Sequence, residues 1–251
     1  MEEGYSTGLP KLDEDIGGGL PPGSLTVLTA PPTSAASLLG YSAALENSGV
    51  HILTTYRDPD RVRSELTAAD RGSLDAAAVT GEGGAENQED STELRITQVD
   101  ASDLTSSTDA IPPDWLSPAA DHQEATSTSA ESDADSLSLL VFDSLSSVDT
   151  AGGHDAVVDT ISALRSFADT HQTAVLVFLD ETSPLSDGSR YAVRSADLLF
   201  TYSSAGQHSD TDAITIRRVR RAVDPAKVSD LPQSLPLKLS TEMEQNPDRG
   251  Y

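Results

Sequence analysis

The sequence predicts an α/β fold, a mostly parallel central sheet with helices on both faces. Two observations carry this expectation. Short apolar runs of strand length alternate with segments whose apolar residues recur at helical spacing, the pattern of repeated strand–helix units. Several runs, Leu137–Asp143 above all, are apolar almost throughout rather than alternating, as strands covered on both faces must be. A length of 251 residues suits one large domain. Residues 1–242 are therefore expected to form a single domain, and 243–251 a polar tail.

In chain order, residues 1–24 hold Gly8, Gly17, Gly18, Gly19 and Gly23 with Pro10, Pro21 and Pro22. This is a turn-rich opening in which Leu9, Leu12, Ile16 and Leu20 are spaced to pack. Ser24–Thr29 reads as the first strand and Ser34–Glu46 as a helix. Val50–Thr55 is a second strand, followed by a helix over Pro59–Ala69 with Asp58 and Asp60 at its start. Leu94–Val99 is a further strand. Residues 117–136 are Ser, Thr, Ala and acids without apolar period, which predicts a flexible acidic insertion. After the strand Leu137–Asp143, His154–His171 places Val157, Val158, Ile161, Leu164 and Phe167 on one helical side. Strands over Thr173–Leu179, Asp197–Tyr202, Ala213–Val219 and Leu235–Leu239 complete the series.

Composition narrows the function classes. Forty-one acidic residues face 16 basic ones, for a net charge of -25, and the only lysines are Lys11, Lys227 and Lys238. Such a charge repels itself in dilute buffer. Concentrated salt relieves it, since the Debye length falls to about 3 Å at 1 M. Acids run along the whole chain, so the composition predicts a protein of the salty cytoplasm of a salt-loving cell. It argues against nucleic-acid binding, which needs a basic face. There is no cysteine, hence no disulfide framework, thiolate metal site or Cys nucleophile. Met1–Thr7 has acids where a secretion signal needs positive charge. No apolar run approaches the roughly 18 residues of a membrane span. The expected location is cytoplasmic, with no membrane contact.

A phosphate-binding loop is a strand, a Gly-rich turn and a helix, whose backbone N–H groups cradle phosphate. The strand Leu25–Thr29, the turn Ala30-Pro31-Pro32-Thr33-Ser34-Ala35-Ala36-Ser37 and the helix after it have this layout. Ahead of them stand Ser6-Thr7-Gly8-Leu9-Pro10-Lys11-Leu12-Asp13 and Gly17-Gly18-Gly19-Leu20-Pro21-Pro22-Gly23-Ser24. Together these residues, 6–40, resemble the KaiC-like branch of the RecA superfamily, of the haloarchaeal KaiC and GvpD type. That family opens with T-G-I-P-G-L-D, then G-G-G-L-P-x-G-S, then G-P-P-G-T-G-K-T. The resemblance implies a RecA-like P-loop NTPase fold, ATP and Mg²⁺ as cofactors, and roles in signalling.

The departures matter as much as the match. Ala30, Thr33 and Ala35 stand at the family's glycines, and Ala36 at its lysine, so the Walker A loop is degenerate. Methyl groups there obstruct the approach of backbone to phosphate. Ser37 alone keeps a hydroxyl for Mg²⁺. Tyr56 and Arg57 occupy the places of the family's paired glutamates, and neither is a general base near neutral pH. Asp58 beside Pro59 is explained by the helix start. Asp143-Ser144-Leu145 resembles the Walker B strand end, where Asp143 would position Mg²⁺; a strand-end acid also caps turns. In Arg217-Arg218-Val219-Arg220-Arg221, Arg218 and Arg220 match the spacing of a family pair that reaches a neighbouring subunit. Two apart, they share a strand face. They either contact another chain or pair with surface carboxylates.

His51, His122, His154, His171 and His208 have no metal-ligand spacing. Asp180-Glu181 is an acidic pair at a strand end, and Trp115 sits in a polar stretch.

The expectation is a non-catalytic, pseudo-ATPase regulatory or scaffolding protein that acts through a protein partner or a homo-oligomer. The alternative is a divergent ATP-binding protein or weak ATPase that senses nucleotide. A third is an enzyme using the pocket for another ligand. The residues themselves call for no cofactor, and ATP with Mg²⁺ is what the resemblance leaves open.

Overall fold

The computed structural model describes residues 4–32, 34–78, 94–106, 137–181, 185–204 and 211–236, with backbone alone for 69–78, 105 and 106. The helices are α1 (Pro10–Asp15), α2 (Ser37–Glu46), α3 (Pro59–Ala78), α4 (Ala101–Ser106), α5 (Leu145–His171) and α6 (Asp187–Ser195). The strands are β1 (Leu25–Ala30), β2 (Val50–Thr54), β3 (Leu94–Gln98), β4 (Leu139–Asp143), β5 (Ala174–Asp180), β6 (Leu198–Ser203), β7 (Ala213–Val219) and β8 (Gln233–Pro236). They form one eight-stranded sheet in the order β3-β2-β4-β5-β1-β6-β7-β8. The strands from β3 to β6 pair in parallel. β7 and β8 continue the sheet antiparallel.

The apolar strands split their side chains between two cores. Leu139 and Val141 of β4 join α1, α2 and α3 in one cluster, while Leu140 and Phe142 join α4, α5 and α6 in the other. β1 divides likewise, with Leu28 and Ala30 on the first side and Leu25 and Val27 on the second. A strand buried on both faces cannot alternate, which is why Leu137–Asp143 reads as continuous. Phe142 and Phe200 are fully buried, each worth about 1.5–3 kcal/mol of apolar transfer.

The opening segment is a knot rather than a tail. The Asp13 carboxylate accepts from Thr7 N at 2.9 Å and from Ser6 Oγ at 2.9 Å. Gly17, Gly18 and Gly19 follow α1 with φ of 89°, 112° and 90°. Gly18 N and Gly19 N both donate to Asp13 O. This turn brings Leu20 back to bridge Tyr5. A Cβ on Gly19 would lie 2.6 Å from Tyr5 O, so the position has room for glycine alone.

Several boundaries differ from expectation. α5 begins at Leu145, nine residues before the expected His154, because Ser144 caps it by accepting from Ser146 N. Gly153, at φ 67° and ψ -155°, breaks α5 just before the expected start. α3 runs on to Ala78. α4 and α6 carry too few apolar residues to stand out by period. β8 starts at Gln233, two residues before the expected strand, and 237–239 lie outside the described residues. So do Thr33, Trp115, the expected insertion 117–136 and the tail 243–251. Among the described residues, no helix is long and apolar enough to cross a membrane.

Candidate functional site

The parallel strands bring their carboxyl ends to one edge, where open α/β sheets bind ligands. A pocket opens there between the turn after β1, the start of α2, Tyr56 and Arg57 after β2, Asp143 of β4 and Asp180 of β5. Thr55 fastens the end of β2 to the end of β4. Its N–H donates to Asp143 O at 2.7 Å, and its hydroxyl accepts from Ser144 N at 3.0 Å. The Asp143–Ser144 peptide is cis. Ser146 Oγ, at the start of α5, accepts from Asp180 N at 2.8 Å. The rim is thus tied strand to strand.

Arg57 fills the middle of this pocket. Its Nε lies 3.3 Å from Asp143 Oδ2, and its Nη1 lies 3.3 Å from Glu65 Oε2 on α3. Nη1 also donates to Tyr41 OH on α2 at 2.7 Å, and Nε donates to Tyr56 OH at 3.0 Å. Tyr41 OH in turn donates to Glu65 Oε2 at 2.9 Å. The Asp143 side chain is 8% exposed and that of Arg57 19%. Burial pushes the Asp143 carboxyl up to about 6. Arg57 and a hydrogen bond from Tyr56 pull it down, while Asp180 and Glu65 add to the rise. For Arg57, burial disfavours the cation, but Asp143, Tyr41 and Tyr56 outweigh it and raise its pKa. Burial works against the Glu65 carboxylate, and hydrogen bonds from Arg61 and Tyr41 with the Arg57 charge hold it low. Above pH 6 the centre of the pocket is an Arg57–Asp143 ion pair.

The residues present do not fit Mg²⁺ with a triphosphate. Ala36, which the resemblance sets at the family's lysine, is 4% exposed and packs in the core, so it offers no cation. Ser37 lines the pocket, but Asp143, its expected partner for Mg²⁺, is held by a guanidinium. The space left is about 30 Å³, room for water and little more. Among the described residues, no cluster of three His, Asp or Glu side chains is placed to hold a metal.

Ala30, Pro31, Ser34, Ala36, Ser37 and Asp143 line this one pocket, with Pro32 and Ala35 in the same turn. Arg218 and Arg220 do not join them. They lie at the opposite edge, where Arg220 N donates to Asp197 O and Asp197 N to Leu25 O at the start of β1. Arg218 Nη2 donates to Val193 O and Ala196 O, and Arg220 Nη1 donates to Arg194 O at 2.9 Å, at the end of α6. Sequence reasoning missed Tyr41 and Glu65. Tyr41, the one aromatic residue of α2, was the available signal. It also passed over His51, whose buried ring meets Thr97 Oγ1 at 3.0 Å. Burial, with a contribution from Arg95, lowers the His51 pKa to about 4.

Residues 4–102 match a family of unknown function, DUF7125, a span that ends before β4. No curated protein matches the chain. The structure is similar to the KaiC-like protein PH0186 of the hyperthermophilic archaeon Pyrococcus horikoshii OT3, with a TM-score of 0.58 at 13% identity, covering 92% of each chain. It is also similar to the RadB recombinase, with a TM-score of 0.52 at 16% identity, covering 88% of this chain and 92% of that one. The fold is RecA-like.

Proposed function

We propose that this chain is a non-catalytic member of its fold class. It acts as a regulatory or scaffolding protein through contacts with other proteins in the cytoplasm of a halophilic archaeon. One observation carries the reading: Arg57 lies against Asp143 in the pocket where relatives of this fold would seat metal and phosphate. Phosphoryl transfer depends on positioning and on charge placed at the transition state. Losing a single such contact costs about 2.7–4 kcal/mol. Here the lysine is a buried alanine, Tyr56 and Arg57 replace the acids that orient water, and the metal-binding aspartate is engaged. A nucleotide sensor is the second reading. It draws on the same guanidinium, which lines the pocket together with Ser34 and Ser37 and would have to leave Asp143 for a phosphate.

Two measurements in molar KCl separate these readings: phosphate release from ATP with Mg²⁺, and the melting shift the nucleotide produces. The expected result is neither release above background nor any shift. A shift without release favours the sensor. Release that Asp143→Ala abolishes overturns the non-catalytic reading.

A further inference from the structure

We infer that the edge of the sheet opposite the pocket is a docking surface for a carboxylate-rich segment of a partner protein. This rests on the proposal that the chain acts through protein contacts and names the surface and the partner's chemistry. Among the described residues, Arg57, Arg61, Arg63, Arg165, Arg190 and Arg221 each pair with a carboxylate. Arg194, Arg217, Arg218 and Arg220 pair with none. In a chain of 41 acids and 16 bases, four unpaired arginines on adjoining elements are not what chance pairing gives.

The backbone is shaped to present them. Leu199 pairs with Arg218 but Phe200 with Ile216, so Arg217 is an extra residue in β7. Such a bulge re-aims the side chains beyond it. Ile214 and Ile216 pack into the α1–α3 core. Beyond the bulge Val219 takes that side, and Arg218 and Arg220 turn to the end of α6. The two cations stand close: burial, then the nearby Arg220, lowers the Arg218 pKa, and the Asp197 charge offsets this only in part. Arg218 Nε is buried without a hydrogen-bond partner. Arg194 and Arg217 are exposed.

Beside them lies an open depression of about 720 Å³, lined by Arg165, Arg220, Tyr191 and the helical hydroxyls Ser162, Ser166 and Thr170. Its two carboxylates are already engaged, Asp197 by Arg165 and Asp169 by Arg221. The charge in excess is positive, and the donors are forked guanidiniums and hydroxyls. That set matches carboxylates, which arginine binds bidentately. A nucleic-acid strand fits worse, because its charge continues past the patch along a surface of net charge -25. A short acidic segment needs only the patch.

The test is fluorescence anisotropy in the lowest KCl that preserves the native far-UV dichroism, using a labelled Asp/Glu peptide. Its Asn/Gln counterpart and a single-stranded oligonucleotide of equal charge are the comparators. Arg194→Ser/Arg217→Ser is the first variant, since neither side chain donates a hydrogen bond within the described residues. Arg220→Ser is the second. The acidic peptide should bind about tenfold more tightly than its neutral counterpart, and both variants should lose about that factor. Equal binding of the two peptides, or unchanged binding by both variants, overturns the inference. So does preference for the oligonucleotide. A mass doubling on sedimentation that the variants abolish assigns the patch to a second copy instead, and also overturns it. No nucleotide enters this assay, so its failure is distinct from that of the hydrolysis test.

Discussion

Arg57 contacts two carboxylates and two phenols, and the four come from four stretches of chain. Its position was legible in the sequence as a missing acid. Its destination was not, because Asp143 lies on another strand and the contact exists only once β2 and β4 pair. Removing one partner of a buried pair typically costs about 3–5 kcal/mol. Arg57 is partly exposed, so Arg57→Met should cost on the order of 2–3 kcal/mol at pH 8. The cost should shrink at pH 5. The sign follows from Asp143, whose folded pKa of about 6 lies above its ordinary 3.8. As pH falls through 6 the native carboxyl takes up a proton, the ion pair ends, and deleting the cation matters less. Glu65, held low, stays charged and adds a constant part. The two phenols stay neutral, and Asp180 also faces Asp143. His51 works the other way in the parent, losing stability as pH falls from 6.5 toward 4. The difference between variant and parent is therefore the quantity to measure, by urea denaturation in molar KCl. A cost equal at both pH values would show that Asp143 does not carry the pairing.

At the scale of elements, the long buried strands were the most legible, because burial on both faces leaves an unbroken apolar run. The start of α5 was not. Leu145–Gly152 is mostly small and polar, and it is helical because of its Ser144 cap and its packing through Leu145 and Val148. The bulge in β7 was invisible too, since register depends on β6. Glycines with positive φ can be sorted only by what surrounds them. Gly19 has φ 90° and would set a Cβ 2.6 Å from Tyr5 O, whereas Gly153 has φ 67° and nothing within 4 Å. Left-handed backbone alone costs a non-glycine residue about 1–3 kcal/mol. Gly153→Ala should cost about the upper end of that range from backbone strain alone, because φ 67° with ψ -155° is a conformation essentially restricted to glycine. Gly19→Ala should exceed it, because the opening turn must also shift off Tyr5. Thermal melts of the two variants check the order, and equal losses would mean that the turn around Gly19 relaxes freely.

For the whole molecule, positive charge is scarce and unevenly placed. Among the described residues, the arginines without a carboxylate partner on β7 and at the end of α6 sit at one edge of the sheet, while acids run along the entire chain. Many of the remaining ion pairs are local, such as Arg61–Glu65 and Arg63–Asp60 on α3 and Arg190–Asp187 on α6. Exposed pairs of this kind contribute about 0–1 kcal/mol each, too little to offset the repulsion among so many carboxylates. The core is ordinary in kind, two apolar layers on one sheet, and screening does not act on contacts between uncharged groups. The balance therefore turns on screening. Raising KCl from about 0.1 M to about 1 M shortens the Debye length from roughly 10 Å to 3 Å. Repulsion between neighbouring carboxylates then fades, while the buried Arg57–Asp143 pair is screened far less. Stability should climb steeply over that range and flatten above it. A gain of about 3 kcal/mol corresponds to roughly 6–12 °C in Tm for a chain of this size. Melts followed by far-UV dichroism across KCl concentrations measure it. Substituting sucrose, which strengthens burial without screening, separates the two causes: a matching rise in sucrose alone would place the effect in the core and not in the charge.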